Sequence, residues 1–197
     1  VPLISRIDGK LRRLEDVVDQ RYRENPFPYP SQEEPIMFET RIPETSDGIQ
    51  DESTVTAYDA MQRGLRDAGN LPVSDLVEMT KTGDHGLEVG PGPGYYGLEW
   101  AQNTKETTLT GLEISPAMIR LAEKNTRTYG LQERVRYQEG NALSMPFADS
   151  SFDLVFSNGS LHEWEEPGRV FTEICRVLKS GGQMMVTDLR RDLTPEI

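Results

Sequence analysis

The rhythm of apolar positions along the chain changes near residue 85. Before that point the pattern is sparse. Ile7, Leu11, Leu14, Val17 and Val18 recur at helical spacing and predict a short amphipathic helix, weakened at its start by Gly9. Residues 36–42 read as a strand or extended segment. A helix is predicted over 54–68, with Tyr58, Met61 and Leu65 on one side. A second opens near Pro72 and runs through Leu76, Val77 and Met79, with Asn70 or Ser74 placed to cap it.

After residue 85 short apolar runs alternate with helical stripes. Strands are predicted at His85–Val89, Thr108–Ile114, Arg134–Gln138, Asp153–Ser157 and Gln183–Asp188. Helices are predicted at Tyr96–Gln102, from Pro116 to just before Gly130, and from near Pro167 with Val170, Ile174, Val177 and Leu178 as the buried stripe. Ser115 offers an N-cap with Pro116 at the first helical position, and Gly181-Gly182 is expected to break the last helix. Strand–helix alternation with short connections is the pattern of a parallel sheet with right-handed crossovers. In such sheets ligands sit at the carboxyl ends of the strands, near the switch in strand order. The residues following Val89, Glu113, Gln138 and Phe156 are therefore the candidates for chemistry.

Charge narrows the partners. Against 21 Lys and Arg stand 33 Asp and Glu, a formal charge of -12, which disfavours a general nucleic-acid binder. The acidity gathers in residues 31–60, with eight acidic side chains and one basic. The preceding run NPFPYPSQEEP, residues 25–35, is too rich in proline for a central helix or strand and reads as an irregular arm. No run of 18 apolar residues exists, so no membrane insertion is expected, and the first residues lack a signal-peptide core. The single Cys175 and the two separated histidines, His85 and His162, argue against a metal site, and a reducing, cytoplasmic setting fits.

The turn after the first strand reads E-V-G-P-G-P-G, Glu88 to Gly94. Glycines there let the backbone take positive φ and approach a ligand that meets free N–H groups at the start of a helix. Two parses compete. Gly92-Pro93-Gly94-Tyr95-Tyr96-Gly97 satisfies GxGxxG with an acidic residue, Glu113, about 20 residues on, as a dinucleotide fingerprint asks. The other parse, E-x-G-x-G-x-G, suits a methyltransferase. A carboxylate at Glu113 can accept both hydroxyls of a ribose in either case, so it identifies a nucleoside and leaves the chemistry open.

The downstream stretches decide. LEVGPGPG (87–94), GLEISPAMI (111–119), EGNALSMPFADSSFDLVFSNGSLHEW (139–164) and RVLKSGGQMMVTD (176–188) together resemble the class I S-adenosylmethionine-dependent methyltransferases, over residues 84–190. The look is nearest to the small-molecule branch typified by ubiquinone and menaquinone biosynthesis enzymes. The resemblance implies an α/β, Rossmann-like methyltransferase fold with a central, mostly parallel sheet flanked by helices. It implies transfer of a methyl group from S-adenosylmethionine to a small-molecule acceptor, giving S-adenosylhomocysteine. It places Gly90, Pro91, Gly92 and Gly94 against the methionine portion of the cofactor and Glu88 facing its amino end. Glu113 would hold the ribose, Ile114 and Met118 would flank the adenine, and Asn141 and Ala142 would meet its edge. Relatives often carry Asp at the position of Asn141; the Asn carbonyl still accepts. Ser157 and Asn158 would contact the cofactor and face the acceptor.

His162 is the candidate catalytic residue, as a base for an acidic carbon or hydroxyl, with loop orientation as its structural alternative. Met145, Pro146 and Phe147 are expected to pack a loop. Residues 1–50 are read as an N-terminal helix and irregular arm, and 51–197 as the methyltransferase domain. The family's final helix and antiparallel strand pair are absent, so the domain is expected to be incomplete at its C-terminal end, with a homodimer or a swapped element as alternatives for covering the edge strand. A regulatory, non-catalytic S-adenosylmethionine-binding module is a second reading. An NAD-linked oxidoreductase explains Glu113 and GxGxxG but not the stretches at 139–164 and 176–188.

Overall fold

The computed structural model describes residues 48–188, together with two short strands near the N-terminus. Those strands, β1 (Ile4–Ile7) and β2 (Lys10–Arg13), pair antiparallel with Ile7 opposite Lys10. The helix expected from the Ile7–Val18 spacing is therefore replaced by a hairpin over its first half. The antiparallel pairing of the two segments overrides the helical spacing. The rest of that helix, the proline-rich arm at 25–35 and the strand expected at 36–42 lie outside the described residues.

Five parallel strands form the body: β3 (His85–Val89), β4 (Thr108–Glu113), β5 (Val135–Glu139), β6 (Phe152–Asn158) and β7 (Leu178–Thr187). Their order across the sheet is β5-β4-β3-β6-β7, so the order reverses beside β3, between β3 and β6. The helices are α1 (Glu52–Asp67), α2 (Val73–Met79), α3 (Tyr95–Gln102), α4 (Pro116–Tyr129) and α5 (Pro167–Val177), with a single 3₁₀ turn at Leu161–Glu163. This is the doubly wound, Rossmann-like architecture expected for residues 85 onward.

Strand alternation sorts the core into two halves. Leu87, Val89, Leu112, Phe152, Val155 and Met184 pack with Val170, Ile174 and Val177 of α5. On the other face Leu109, Val135, Leu154, Phe156 and Met185 pack with Leu76 of α2 and with Tyr96, Leu98 and Trp100 of α3. Gly86 is needed there: a Cβ would stand 2.8 Å from the Trp100 ring and 3.2 Å from Phe156.

Helix termini follow local chemistry. Ser115 accepts from the Met118 N–H at 3.1 Å, Pro116 occupies the first position, and Gly130 closes α4 in the left-handed region. Asp51 caps α1 by accepting from Thr54 N–H. For α2, neither Asn70 nor Ser74 caps; Pro72 holds the N-cap position without a side-chain bond. The glycine pair 181–182 does not end α5. The helix stops at Val177 and β7 already begins at Leu178, with the pair inside a register shift opposite Phe152 and Leu154. Leu178 is buried as expected, but as a strand residue. Met145 and Phe147 pack on the α5 side of the core, the loop role expected of them, and Met145 N–H donates to Glu173.

A test of this packing is Gly86→Ala. The added methyl must displace the Trp100 and Phe156 rings, and overpacking of this kind costs about 1–3 kcal/mol. Urea unfolding should show that loss with an unchanged m-value.

Candidate functional site

Three loops leave the carboxyl ends of β3, β4 and β5 and meet at Glu113. Its side chain is 7% exposed. One carboxylate oxygen accepts from Gly92 N–H at 3.0 Å, and the other from Ser115 N–H at 2.9 Å. Its carbonyl accepts from Gly140 N–H at 3.0 Å. Burial raises the Glu113 pKa, while the Ser115 and Gly92 N–H groups pull it back down. Gly90 N–H is bound in turn to the Leu112 carbonyl at 2.9 Å, so the glycine turn is fastened to β4 at two points. The two elements that a nucleoside would span thus lie on one side of the sheet and in contact.

The glycines of the turn do different jobs. Gly90 has φ +69°, and a Cβ on it would lie 2.7 Å from Ser160 Cβ. Gly92 has φ +53° and faces the ring of Tyr58, 3.4 Å from where a Cβ would stand. Gly94 faces the interior instead: it is the left-handed N-cap of α3, and a Cβ would collide with the Tyr137 hydroxyl and crowd Ala122. Pro91 is buried against Gly111. Gly90 and Gly92 therefore bring bare backbone up to Ser160 and Tyr58 at the strand tips and form the cradle, while Gly94 and Pro91 pack inward as its support.

Glu88 is buried at 2% exposure, its carboxylate lying against Gly97 in the first turn of α3. Burial, then the nearby Glu113 charge, push its pKa up to about 8, with the Gly97 N–H pulling the other way. Its Oε2 atom has no hydrogen-bond partner.

The remaining expected residues are spread around this centre. Asn141 Oδ1 accepts from Leu143 N–H at 2.8 Å, which shapes the loop after β5, and Ala142 is half-buried beside the core. Met118 is buried in α4, while Ile114 is half-buried beneath Gly48, where a Cβ would meet it at 2.9 Å. Ser157 is buried and donates to the Val89 carbonyl at 2.8 Å, so it ties β6 to the end of β3. Asn158 Oδ1 accepts from Thr187.

His162, in the 3₁₀ turn after β6, has Nδ1 3.0 Å from both oxygens of Asp188 at the end of β7, and its own N–H donates to the same carboxylate. Its Nε2 lies 3.3 Å from Glu163 Oε1. His85 is remote from this pair, bonded to Thr110 and stacked near Phe152. Among the described residues no group of three or more His, Cys, Asp or Glu is arranged to hold a metal ion, and no helix is long and apolar enough to cross a membrane.

Sequence reasoning missed Ser160, Asp188 and Tyr58 as members of this neighbourhood. Ser160 shares a 2.6 Å bond with Ser157 and also reaches the Val89 carbonyl. A serine in a loop and an aspartate at a strand end carry no signal of their own. Tyr58 lies well upstream of the turn, on a helix with no motif.

The cradle fits S-adenosylmethionine on the chain's own geometry. Two positive-φ glycines expose backbone without a Cβ, a buried carboxylate grips that turn, and an orphaned carboxylate oxygen, on Glu88, lies two residues before Gly90.

Comparison with known proteins agrees. The family model for the methyltransferase domain matches residues 87–186. Erythromycin 3''-O-methyltransferase of Saccharopolyspora erythraea is 30% identical over 128 residues, 64% of this chain and 42% of that protein. Demethylmenaquinone methyltransferase of Lactobacillus johnsonii is 30% identical over 118 residues, 59% of this chain and 48% of that protein. Among solved structures, the [4+2]-cyclase SpnF is 37% identical with TM-score 0.54, covering 58% of this chain and 43% of its own. A SAM-dependent methyltransferase from Aquifex aeolicus has TM-score 0.61 over 75% of this chain and 79% of its own; at 23% identity it speaks for the fold alone. The chain spans about half the length of the curated relatives it matches. The matched domain takes in half of the chain, and the chain belongs to the class I S-adenosylmethionine-dependent methyltransferase family.

Glu88 makes stability depend on pH. Its carboxyl holds a proton in the folded state up to about pH 8, against an ordinary value of 4.5. The folded protein therefore binds more protons than the unfolded chain across that window, and this group's contribution to stability falls as pH rises. Glu88→Gln removes the dependence. By pH 8 it should be roughly 2–4 kcal/mol more stable than wild type, and near parity at pH 4.5. Urea unfolding at pH 5, 6.5 and 8 checks this; a pH-independent difference would contradict it.

Proposed function

We propose that the chain transfers a methyl group from S-adenosylmethionine to a small-molecule acceptor. The observation that carries this reading is the Glu113 carboxylate, which holds Gly92 and Ser115 N–H groups beside the open Gly90–Gly92 cradle. Each oxygen accepts one N–H, and a carboxylate has about four acceptor sites, so capacity remains for two ribose hydroxyls. The -12 charge favours a small molecule over a nucleic acid.

Bound S-adenosylmethionine supplies a methyl group already activated for in-line displacement. The chain's own task is alignment and exclusion of water. Gly90 and Gly92 let the backbone approach the methionine end, and Glu113 fixes the sugar. Asn141 and Ala142, on the loop after β5, would meet the adenine edge. Ile114 flanks the ring, and buried Met118 shapes the wall behind it. Ser157 holds the tip of β6 through the Val89 carbonyl, and half-buried Asn158, whose Oδ1 accepts from Thr187, would face the acceptor. His162, held through Nδ1 by Asp188 and with Nε2 beside Glu163, is the candidate to take a proton from the acceptor, which would have to displace the Glu163 contact.

The acceptor is read no more finely than a small molecule. Curated relatives include methyltransferases named for erythromycin, rifamycin and demethylmenaquinone at similar identity, so the ubiquinone and menaquinone branch is not singled out. The domain reading keeps residues 51–197 as the catalytic unit. The similar SpnF structure is a [4+2]-cyclase, and a shared fold does not fix the reaction. A labelled-methyl assay on cell extract is therefore the direct test: acid-stable label in a low-molecular-weight product supports the reading, and its absence despite cofactor binding opposes it.

Glu113→Ala should weaken S-adenosylmethionine binding at least tenfold by calorimetry, a loss of about 1.4 kcal/mol or more. An unchanged dissociation constant would remove the assigned role. His162→Ala should lower turnover with the labelled methyl donor more than it changes the cofactor dissociation constant.

A further inference from the structure

The chain preceding β3 crosses the cleft. Gly48 lies over Ile114 and Ser115, and the Ile49 carbonyl accepts from the Ser115 hydroxyl. Ten residues on, in α1, the Tyr58 ring stands against Gly92. One strap therefore touches both ends of the nucleoside site, at the loop after β4 and at the glycine turn. Tyr58 is half-buried, and its hydroxyl accepts from Gln62 Nε2 at 3.1 Å. Burial raises its pKa, and the charges of Glu113, Glu163 and Asp188 add to the rise. Its phenol thus stands within electrostatic reach of both the Glu113 grip and the carboxylates that flank His162.

A separate set of contacts holds this helix in place. Tyr95 hydroxyl donates to Asp59 Oδ1 at 2.8 Å. Arg66 stacks over the Tyr95 ring at 4.7 Å, and its NH1 donates to the Tyr129 hydroxyl at 3.1 Å. Asp59 and Arg66 are seven residues apart and share a helix face, one step round from Tyr58. None of the sixteen residues of α1 is buried, and Met61 and Leu65 are 51% and 39% exposed. A surface helix held by hydrogen bonds and ring stacking, with no core anchor, sits at the low end of local stability.

We propose that Tyr58 is a further cofactor-contact residue, carried by α1 onto the Gly92 end of the cradle, and that Asp59 and Arg66 are the positioning residues that hold it there. The proposal rests on the reading of the cradle as an S-adenosylmethionine site. The aromatic ring closes the side of the turn that the glycines leave open. The phenol adds a polar group beside Gly92, at the far end of the turn from the Ser160 hydroxyl. Cofactor on Gly92 would rest against α1 and hold it down, so binding and docking of the strap reinforce each other.

Calorimetry with S-adenosylmethionine on wild type, Tyr58→Phe and Tyr58→Ala separates the outcomes. The expected result is at least a tenfold loss for Y58A and less than threefold for Y58F, because the ring supplies most of the contact. The melting temperature of unliganded Y58A should stay near that of wild type, since Tyr58 is only half-buried and no residue of α1 belongs to the core. A second measurement does not need the variant: limited trypsin cleavage after Arg63 and Arg66 should slow several-fold when S-adenosylmethionine is added to wild type. Arg66→Ala should diminish the mutual effect by raising cleavage at Arg63 in the unliganded protein and weakening cofactor binding without touching the cradle. Unchanged affinity in Y58A, or cleavage indifferent to cofactor while wild type binds it, would overturn the role of Tyr58 alone. Failure of wild type to bind S-adenosylmethionine would overturn the cradle reading and this proposal together.

Discussion

A single buried residue gathers the site. Glu113 receives one N–H from the loop after β3, one from the loop after β4 and, at its carbonyl, one from the loop after β5. Each bond satisfies a backbone donor that would otherwise be left unpaired near the strand tips, where such a loss costs about 1–3 kcal/mol. The shape of the cleft follows from this convergence. Without it, the glycine turn would have only the Gly90–Leu112 bond to hold it to β4. The same residue thus serves as the structural clasp of the three loops.

That economy has an electrostatic cost. Two carboxylates, Glu88 and Glu113, are buried close enough for the second to raise the pKa of the first. In a chain of net charge -12 the surface field offers them no relief. Backbone dipoles do some of the compensating: Glu113 has two N–H donors and Glu88 faces the Gly97 N–H at the start of α3. Glu88 still keeps one oxygen without a partner.

The other side of the cleft is built from the ends of β6 and β7. Ser157 and Ser160 close over the Val89 carbonyl, and Asp188 holds His162 by ring and backbone. These contacts lock the tips of three strands around the point where strand order reverses, the place where an open α/β sheet leaves a crevice. The rigid floor contrasts with the strap at 48–67, whose docking is polar and whose apolar side chains stay largely in solvent.

The local signals in the chain sufficed for much of this. Alternation of period two against 3.6, with Ser115-Pro116 and Gly130 as punctuation, placed the first four parallel strands and the helices between them to within a residue or two, because each signal acts over a few neighbours; the last helix ended earlier and the last strand began five residues earlier than the pattern indicated. The glycine turn and Glu113 were legible for the same reason: each follows a strand directly. Short-range reasoning failed where a partner lay far away. The helical spacing at Ile7–Leu11 yielded to the pairing of Ile7 with Lys10, and Gly181-Gly182 fell inside β7, in the register shift between the two stretches of that strand that pair with β6. The inward turn of Gly94, the burial of Ser157 and Met118, the hold of Asp188 on His162 and the arrival of Tyr58 over Gly92 depend on side chains brought together across tens of residues. Residue order specifies which backbone can bend and which face is apolar. Only the folded sheet decides which side chains are left facing the cleft.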